Sequence, residues 1–175
     1  MKPKVKSSKV IYSGFFDLRQ DMLERADGLT HPYTSVILGN DAVVVLAQDR
    51  NGLWIFNREY RHPTGKALLG LPGGSLKKGE DPIVGGIREF FEETGYWSDE
   101  VVVLGTCHPF PSICEQKITY LWAKNAYKKD KQSLDPFEFI EVELKTDEEL
   151  HREIKSGATI DGNICIALWY KSHFC

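Results

Sequence analysis

The sequence predicts an α/β sandwich: a mixed sheet with helices on both faces. Three observations predict it. Apolar runs of strand length lie before and after one sharply punctuated helical stretch. Two more helical stretches close the chain. One run, Asp41–Asp49 (DAVVVLAQD), is apolar almost throughout, as a strand buried on both faces must be. Elements interleaved in this way pack as layers about a core.

The elements follow in order. KVIYSGFFDLRQDMLE (Lys9–Glu24) and THPYTSVIL (Thr30–Leu38) read as strands around a polar turn at Ala26–Leu29. After Asp41–Asp49, Arg50-Asn51-Gly52 signals a turn, and LWIFNREYR (Leu53–Arg61) returns as the next strand. HPTGKALLGLPGG is punctuated by Gly and Pro and reads as a loop with a short apolar piece. A helix comes next. Asp81 suits its N-cap, Pro82 its first position and Gly95 a left-handed C-terminal cap. Ile83, Ile87, Phe90, Phe91 and Thr94 make its inner face. Gly85-Gly86 inside it costs about 1 kcal/mol per glycine relative to alanine, which points to close packing or a nearby ligand.

EVVVLGTCHPF is a further strand, PSICEQ a loop, and KITYLWAKNAY a strand. KKDKQSLDP reads as a solvated charge run. FEFIEVELK alternates again as a strand. Thr146 caps a helix over Asp147–Lys155 that Gly157 ends. DGNICIALWYKSHF is the last helix, with Ile164, Ala167, Leu168 and Cys165 facing inward. The four tryptophans read as packing residues.

The 175 residues suffice for one domain, and 42% hydrophobic with 27% charged residues is ordinary for a globular chain. The net charge of −3 argues against a nucleic-acid polymer as partner, because such binding neutralises phosphates with Lys and Arg. A small anion needs only one or two placed cations or a metal, so it stays open. No apolar run approaches the ~20 residues of a membrane span. The basic MKPKVKSSKV start lacks the apolar stretch of a signal peptide, so the cytoplasm is the expected location. Cys107, Cys114, Cys165 and Cys175 have neither CxxC spacing nor a dense framework and read as reduced thiols.

Glu89, Glu92 and Glu93 crowd neighbouring turns of the central helix. Like charges at i,i+4 repel by a few tenths of a kcal/mol. Two readings remain open on the helix alone. One is a solvated acidic face. The other is a cluster of oxygen ligands for a hard cation, Mg²⁺ or Mn²⁺, with Arg88 bracing Glu92 four residues away. Mg²⁺ completes its shell with waters and substrate phosphates, which makes a phosphate ester or anhydride the natural substrate.

Gly74, Glu80, Arg88-Glu89-Phe90, Glu92-Glu93 and Gly95-Tyr96 stand at the spacing G-x5-E-x7-R-E-U-x-E-E-x-G-U, where U is bulky and apolar. The stretch resembles the Nudix box. All nine specified positions across 23 residues match, with aromatic Phe90 and Tyr96 where aliphatics are more usual. The resemblance implies a Nudix α/β/α sandwich and metal-dependent hydrolysis of a nucleoside diphosphate linked to another moiety. It implies Glu89 and Glu93 as main metal ligands, Glu92 as a further one, and the Gly73 carbonyl as a backbone ligand. Glu92 and Glu93 thereby count as catalytic as well. Glu80 and Arg88 would orient loop and helix.

The flanks resemble the ADP-ribose pyrophosphatase branch, in which a "Q-Y-R"-like strand end leads into "L-E-L-P-A-G-G". Here the strand ends Arg58-Glu59-Tyr60-Arg61. The branch implies that Arg61 contacts substrate phosphate, with Glu59 and Pro111 as further substrate-binding positions. Read without the family, Arg61 is a surface ion-pair residue. Pro111 lies sixteen residues after Gly95, as the branch's marker proline does, and Glu115 is the candidate general base. A plain loop carboxylate is the alternative for Glu115. Two departures stand out: Gly70 where the branch has glutamate, and an altered, shorter Pro111–Gln116 loop.

The branch further implies a homodimer in which a small N-terminal antiparallel sheet is exchanged between subunits. Residues 1–38 would be those strands and 39–175 the catalytic core of one Nudix domain. Phe15, Phe16 and Tyr33 would be core or would help a partner subunit stack a base. The expected activity is hydrolysis of a nucleoside diphosphate sugar such as ADP-ribose to a nucleoside monophosphate and a sugar phosphate. Alternatives are hydrolysis of dinucleoside polyphosphates or nucleoside triphosphates, or a non-catalytic nucleotide-sugar sensor.

Overall fold

The computed structural model describes residues 2–157 and 159–174. Its strands are β1 (Lys4–Ser13), β2 (Asp17–Glu24), β3 (Thr30–Ile37), β4 (Ala42–Asp49), β5 (Trp54–Arg61), β6 (Lys66–Gly70), β7 (Gly73–Ser75), β8 (Tyr96–Trp97), β9 (Glu100–Cys107), β10 (Ile118–Lys128) and β11 (Ile140–Lys145). Its helices are α1 (Pro82–Thr94), α2 (Asp147–Ser156) and α3 (Asn163–Phe174). The chain divides into two compact units, Met1–Asp41 with His108–Lys117, and Ala42–Cys107 with Ile118–Cys175.

The first unit is an antiparallel meander, β1-β2-β3. The stretch expected as one strand, Lys9–Glu24, instead turns back on itself at Gly14, whose N–H donates to the Phe16 carbonyl at 3.2 Å. Every residue of β1 is exposed, so no apolar periodicity marks it. The loop 108–117 is tied to this unit. The Val36 N–H donates to the Ile113 carbonyl at 2.7 Å, the Tyr33 hydroxyl donates to the Ser112 carbonyl, and the Lys117 N–H donates to Asp41 at 2.9 Å.

The second unit holds the sandwich. Its mixed sheet runs β11-β5-β4-β10-β8, with β6 on β5, β7 on β4 and β9 on β10. β4 and β10 pair in parallel, and the remaining pairs are antiparallel. Strand alternation sorts the core into two layers. Val43, Val45, Ala47, Ile55, Leu121 and Ala123 meet Phe90 of α1. Leu46, Trp54, Phe56, Tyr120 and Trp122 meet Leu150 of α2 and Ile164 and Ala167 of α3. Each such large side chain contributes roughly 1.5–3 kcal/mol.

Close approach explains the helical glycines. A Cβ at Gly86 would lie 2.3 Å from Leu121 Cδ1 and one at Gly85 2.5 Å from Leu76 Cδ2. The inner face of α1 is narrower than its sequence predicts. Ile87, Phe90 and Thr94 are buried, Ile83 is exposed, and Phe91 is half-buried edge-on to Trp97. On α3, Ile164 and Ala167 are buried and Leu168 packs against the core, but Cys165 faces out. Trp54 and Trp122 pack together in the core, whereas Trp169 is largely exposed. Cys107, Cys114 and Cys165 are free thiols, and Cys175 lies outside the described residues. Among the described residues no helix is long and apolar enough to cross a membrane.

A charge-balanced cluster ties β5, β11 and α2. Arg58 pairs with Glu143 at 2.7 Å and Glu153 at 2.6 Å, and Lys145 pairs with the same two carboxylates at 2.7 and 3.0 Å. The last strand starts later than FEFIEVELK predicts. Pairing with β5 begins at Ile140, opposite Glu59, and Phe137 and Phe139 are left exposed.

Candidate active site

α1 is held at both ends. Asp81 accepts the N–H groups of Ile83 and Val84 at 2.9 and 3.2 Å, and Gly95, at φ 67°, donates to the Phe91 carbonyl at 2.7 Å. The last carbonyls of a helix have no partner within it. Here the segment expected as a solvated charge run supplies partners. Ser133 N–H donates to the Glu92 carbonyl at 2.8 Å, Gln132 Nε2 to Glu93 at 2.6 Å, and Lys128 Nζ to Thr94 at 2.7 Å. The lysine also places a cation at the negative end of the helix.

Arg88 organises the near side of the site. Its Nε and Nη2 donate to Glu80 at 3.1 and 3.0 Å, and its Nη1 donates to Glu89 at 2.8 Å and Glu92 at 3.2 Å. The guanidinium first, then the Lys77 N–H, hold the Glu80 carboxyl down to about 2. One cation therefore serves three carboxylates.

Glu93 has no cation at all among its described partners. Its Oε2 accepts the Gly73 N–H at 2.8 Å and Asn57 Nδ2 at 2.7 Å. Burial pushes its carboxyl up to about 8. The Gly73 N–H opposes this, and Glu59, Glu89 and Glu138 add to it by repulsion. Burial likewise raises Glu89 against the pull of Arg88. Gly73 can donate here because its backbone, at φ 152°, suits only glycine, and a Cβ would sit 2.2 Å from the Val43 carbonyl oxygen.

Alternation on β5 puts Asn57, Glu59 and Arg61 on the face of the α1-side core residue Ile55. Arg61, about half exposed, pairs with Glu59 at 2.7 Å. Burial raises the Glu59 carboxyl. Arg61 opposes that, and Glu138 and Asp161 reinforce it.

The structure thus brings together Glu89, Glu92, Glu93, Gly73, Glu59 and Arg61. Pro111 and Glu115 lie in the loop of the other compact unit, and both are exposed. Two residues escaped the sequence reading. Glu138, in the turn before β11, accepts the Asp135 N–H at 2.9 Å and repels Glu59, Glu89 and Glu93. No spacing rule marks it. Asn57 had a signal: a polar residue directly after the apolar run Trp54-Ile55-Phe56.

The donor set fits a hard divalent cation. Carboxylates of one helix and a backbone carbonyl beside it are all oxygen donors, and a buried, uncompensated Glu93 is what a cation would neutralise. The described residues hold no ready cage of three ligands. Glu89 and Glu92 are turned toward Arg88, and Glu93 toward Gly73 and Asn57.

The NUDIX domain model matches residues 38–164. The chain is 31% identical over 168 residues to a methanol dehydrogenase activator of Bacillus methanolicus, covering 95% of this chain and 90% of that protein. It is 27% identical over 172 residues to an ADP-ribose pyrophosphatase of Bacillus subtilis, covering 97% and 92%. A crystal structure of an ADP compounds hydrolase shares the fold, with a TM-score of 0.86 at 19% identity over 99% of this chain and 94% of that one.

Proposed function

The chain belongs to the NUDIX family, and from that premise we propose that it hydrolyses the diphosphate bond of ADP-ribose or a related nucleoside diphosphate sugar. The products are a nucleoside monophosphate and a sugar phosphate. The observation that carries this reading is Glu93, buried beside Gly73 with no cation among its described partners, on the helix that also carries Glu89 and Glu92.

Glu89, Glu92, Glu93 and the Gly73 carbonyl would hold the divalent cation, with Mg²⁺ the first candidate and Mn²⁺ the second. Such a cation, when bound, supplies Lewis-acid charge at the diphosphate and lowers the pKa of the attacking water. Arg88 and Glu80 keep α1 aligned with the loop before it. Arg61 offers a planar guanidinium to phosphate oxygens, and Glu59 aims it. A carboxylate takes the proton from water. Glu115 is the sequence's candidate for that base, and Glu138, whose charge is felt by Glu59, Glu89 and Glu93, is the structure's.

We further propose a cytoplasmic homodimer. Support comes from the first unit, where Val5, Val10, Ile11, Tyr12 and Phe15 are all exposed on or beside a strand with no buried residue. Light scattering of the eluted protein at twice the 19.9 kDa chain mass is the expected result.

The test incubates the protein with Mg²⁺ or Mn²⁺ and a panel of ADP-ribose, other nucleotide sugars, diadenosine polyphosphates and nucleoside triphosphates. Release of AMP from ADP-ribose, abolished by a chelator, is expected. Preference for triphosphates would overturn the substrate class, and binding without turnover would favour a sensor. Glu115→Gln and Glu138→Gln assign the base: the variant that loses turnover at unchanged metal affinity identifies it.

The relative from Bacillus methanolicus favours a second reading, in which the chain activates a dehydrogenase. Adding the protein to methanol dehydrogenase and finding no rate change discards it.

A further inference from the structure

Asn57 is a polar side chain in the wrong place for stability. It sits mid-strand in β5, only 2% exposed, after Trp54, Ile55 and Phe56, all buried. Its Nδ2 donates to Glu93 Oε2 at 2.7 Å. A carboxylate that ligates a metal is ionised and only accepts, so in that state the amide nitrogen must face Glu93 and Oδ1 points the other way. Oδ1 is buried and has no hydrogen-bond partner among the described residues. A buried acceptor left unpaired destabilises the folded state, and an aliphatic residue here would avoid that penalty.

The arrangement at Glu93 shows what the penalty obtains. Asn57 Nδ2 and the Gly73 N–H converge on one oxygen, Oε2. Oε1 accepts no hydrogen bond from the described residues. Two donors from two strands therefore clamp one carboxylate oxygen and leave its twin without a hydrogen bond from the described residues. With a single donor, the Glu93 carboxylate would be free to pivot about the Gly73 N–H.

We infer that Asn57 is a positioning residue: it clamps Glu93 Oε2 so that Oε1 faces the divalent cation. The inference rests on the reading of Glu93 as a metal ligand. Partners of this kind, one bond removed from a metal, change metal affinity by about 10–100-fold when removed.

The test replaces Asn57 by Val, and by Ala in case the larger side chain is not accommodated. Mn²⁺ affinity is measured without substrate, by electron paramagnetic resonance of free Mn²⁺. Metal-free thermal unfolding and steady-state kinetics on ADP-ribose accompany it. Asn57→Val is expected to bind Mn²⁺ about 10–100-fold more weakly. Its kcat should fall with little change in KM, while its metal-free Tm stays level or rises. In a Glu93→Gln background the Asn57 substitution should no longer change Mn²⁺ affinity.

Wild-type Mn²⁺ affinity in folded Asn57→Val or Asn57→Ala overturns the inference. So does an undiminished loss in the Glu93→Gln background. If the wild-type protein binds Mn²⁺ with this dependence on Asn57 but cleaves no nucleoside diphosphate sugar, the functional reading falls and the inference stands. If it binds no Mn²⁺, both fall.

Discussion

Two arginines of the second unit each gather glutamates, and the two clusters balance charge differently. Arg58, with Lys145, faces Glu143 and Glu153, so two cations meet two carboxylates. Among the described residues Arg88 alone pairs with Glu80, Glu89 and Glu92, and nearby Glu93 is buried with no cation. The first cluster holds Glu143 down at about 2, with Arg58 the main cause. The second leaves Glu93 up at about 8 through burial. A balanced cluster is complete and ties β5, β11 and α2 together. An unbalanced one leaves negative charge that a bound cation would offset.

The comparison breaks most easily at Glu93. Glu93→Gln should lower turnover of ADP-ribose by on the order of 10²–10⁴-fold while the metal-free protein unfolds at the same temperature or higher, because a neutral amide is easier to bury. Circular dichroism and single-turnover kinetics report both. Near-normal turnover would place the function elsewhere.

Arg58→Met is the converse experiment. Among the described residues it leaves Lys145 as the single cation for two carboxylates, and a loss of about 1–3 kcal/mol in urea unfolding is expected, with turnover per folded molecule of the wild-type order. A large kinetic effect at unchanged stability would erase the distinction between the clusters.

Acid sharpens the comparison further. The Glu143 carboxyl is depressed in the fold to about 2, from an ordinary value near 4.5. Its contribution is fully present above the unfolded value and is lost as pH falls through the folded one. The stability gap between wild type and Glu143→Gln should therefore be constant near neutrality and close between about pH 4.5 and 2. A gap that persists at pH 2 would mean that packing, not charge, holds Glu143.

The smallest expected effect is at the helix that carries Glu153. Thr146 accepts the Glu149 N–H at 3.3 Å, and Glu149 accepts the Thr146 N–H at 2.9 Å, a reciprocal capping box. Thr146→Ala should cost about 1 kcal/mol by urea unfolding and leave Mn²⁺ affinity untouched.

Legibility in the sequence tracked locality. α1 was readable to the residue because Asp81, Pro82 and Gly95 act within a turn of the ends they cap. α2 ended one residue beyond its predicted Lys155, and Gly157 capped it as expected. β4 was readable from its apolar run. β1 was not, since no residue in it is buried and exposure leaves no periodic trace. The KKDKQSLDP stretch is largely the exposed loop its composition predicts, but its contacts with the end carbonyls of α1, roughly 35 to 40 residues earlier in the chain, were not legible, because composition carries no such address. In the site, the helix glutamates were visible through their i,i+3 and i,i+4 spacing. Glu138 was invisible for want of any.

By itself the sequence determined the sandwich, the capped glutamate helix, and a family marked by nine spaced positions, because all of these are written in local periodicity and punctuation. Only the tertiary structure decided which glutamate is buried without a counter-charge, and which strand residues clamp it. Burial and desolvation depend on groups brought together from β5, β7 and α1, and their separation along the chain says nothing about their distance in space.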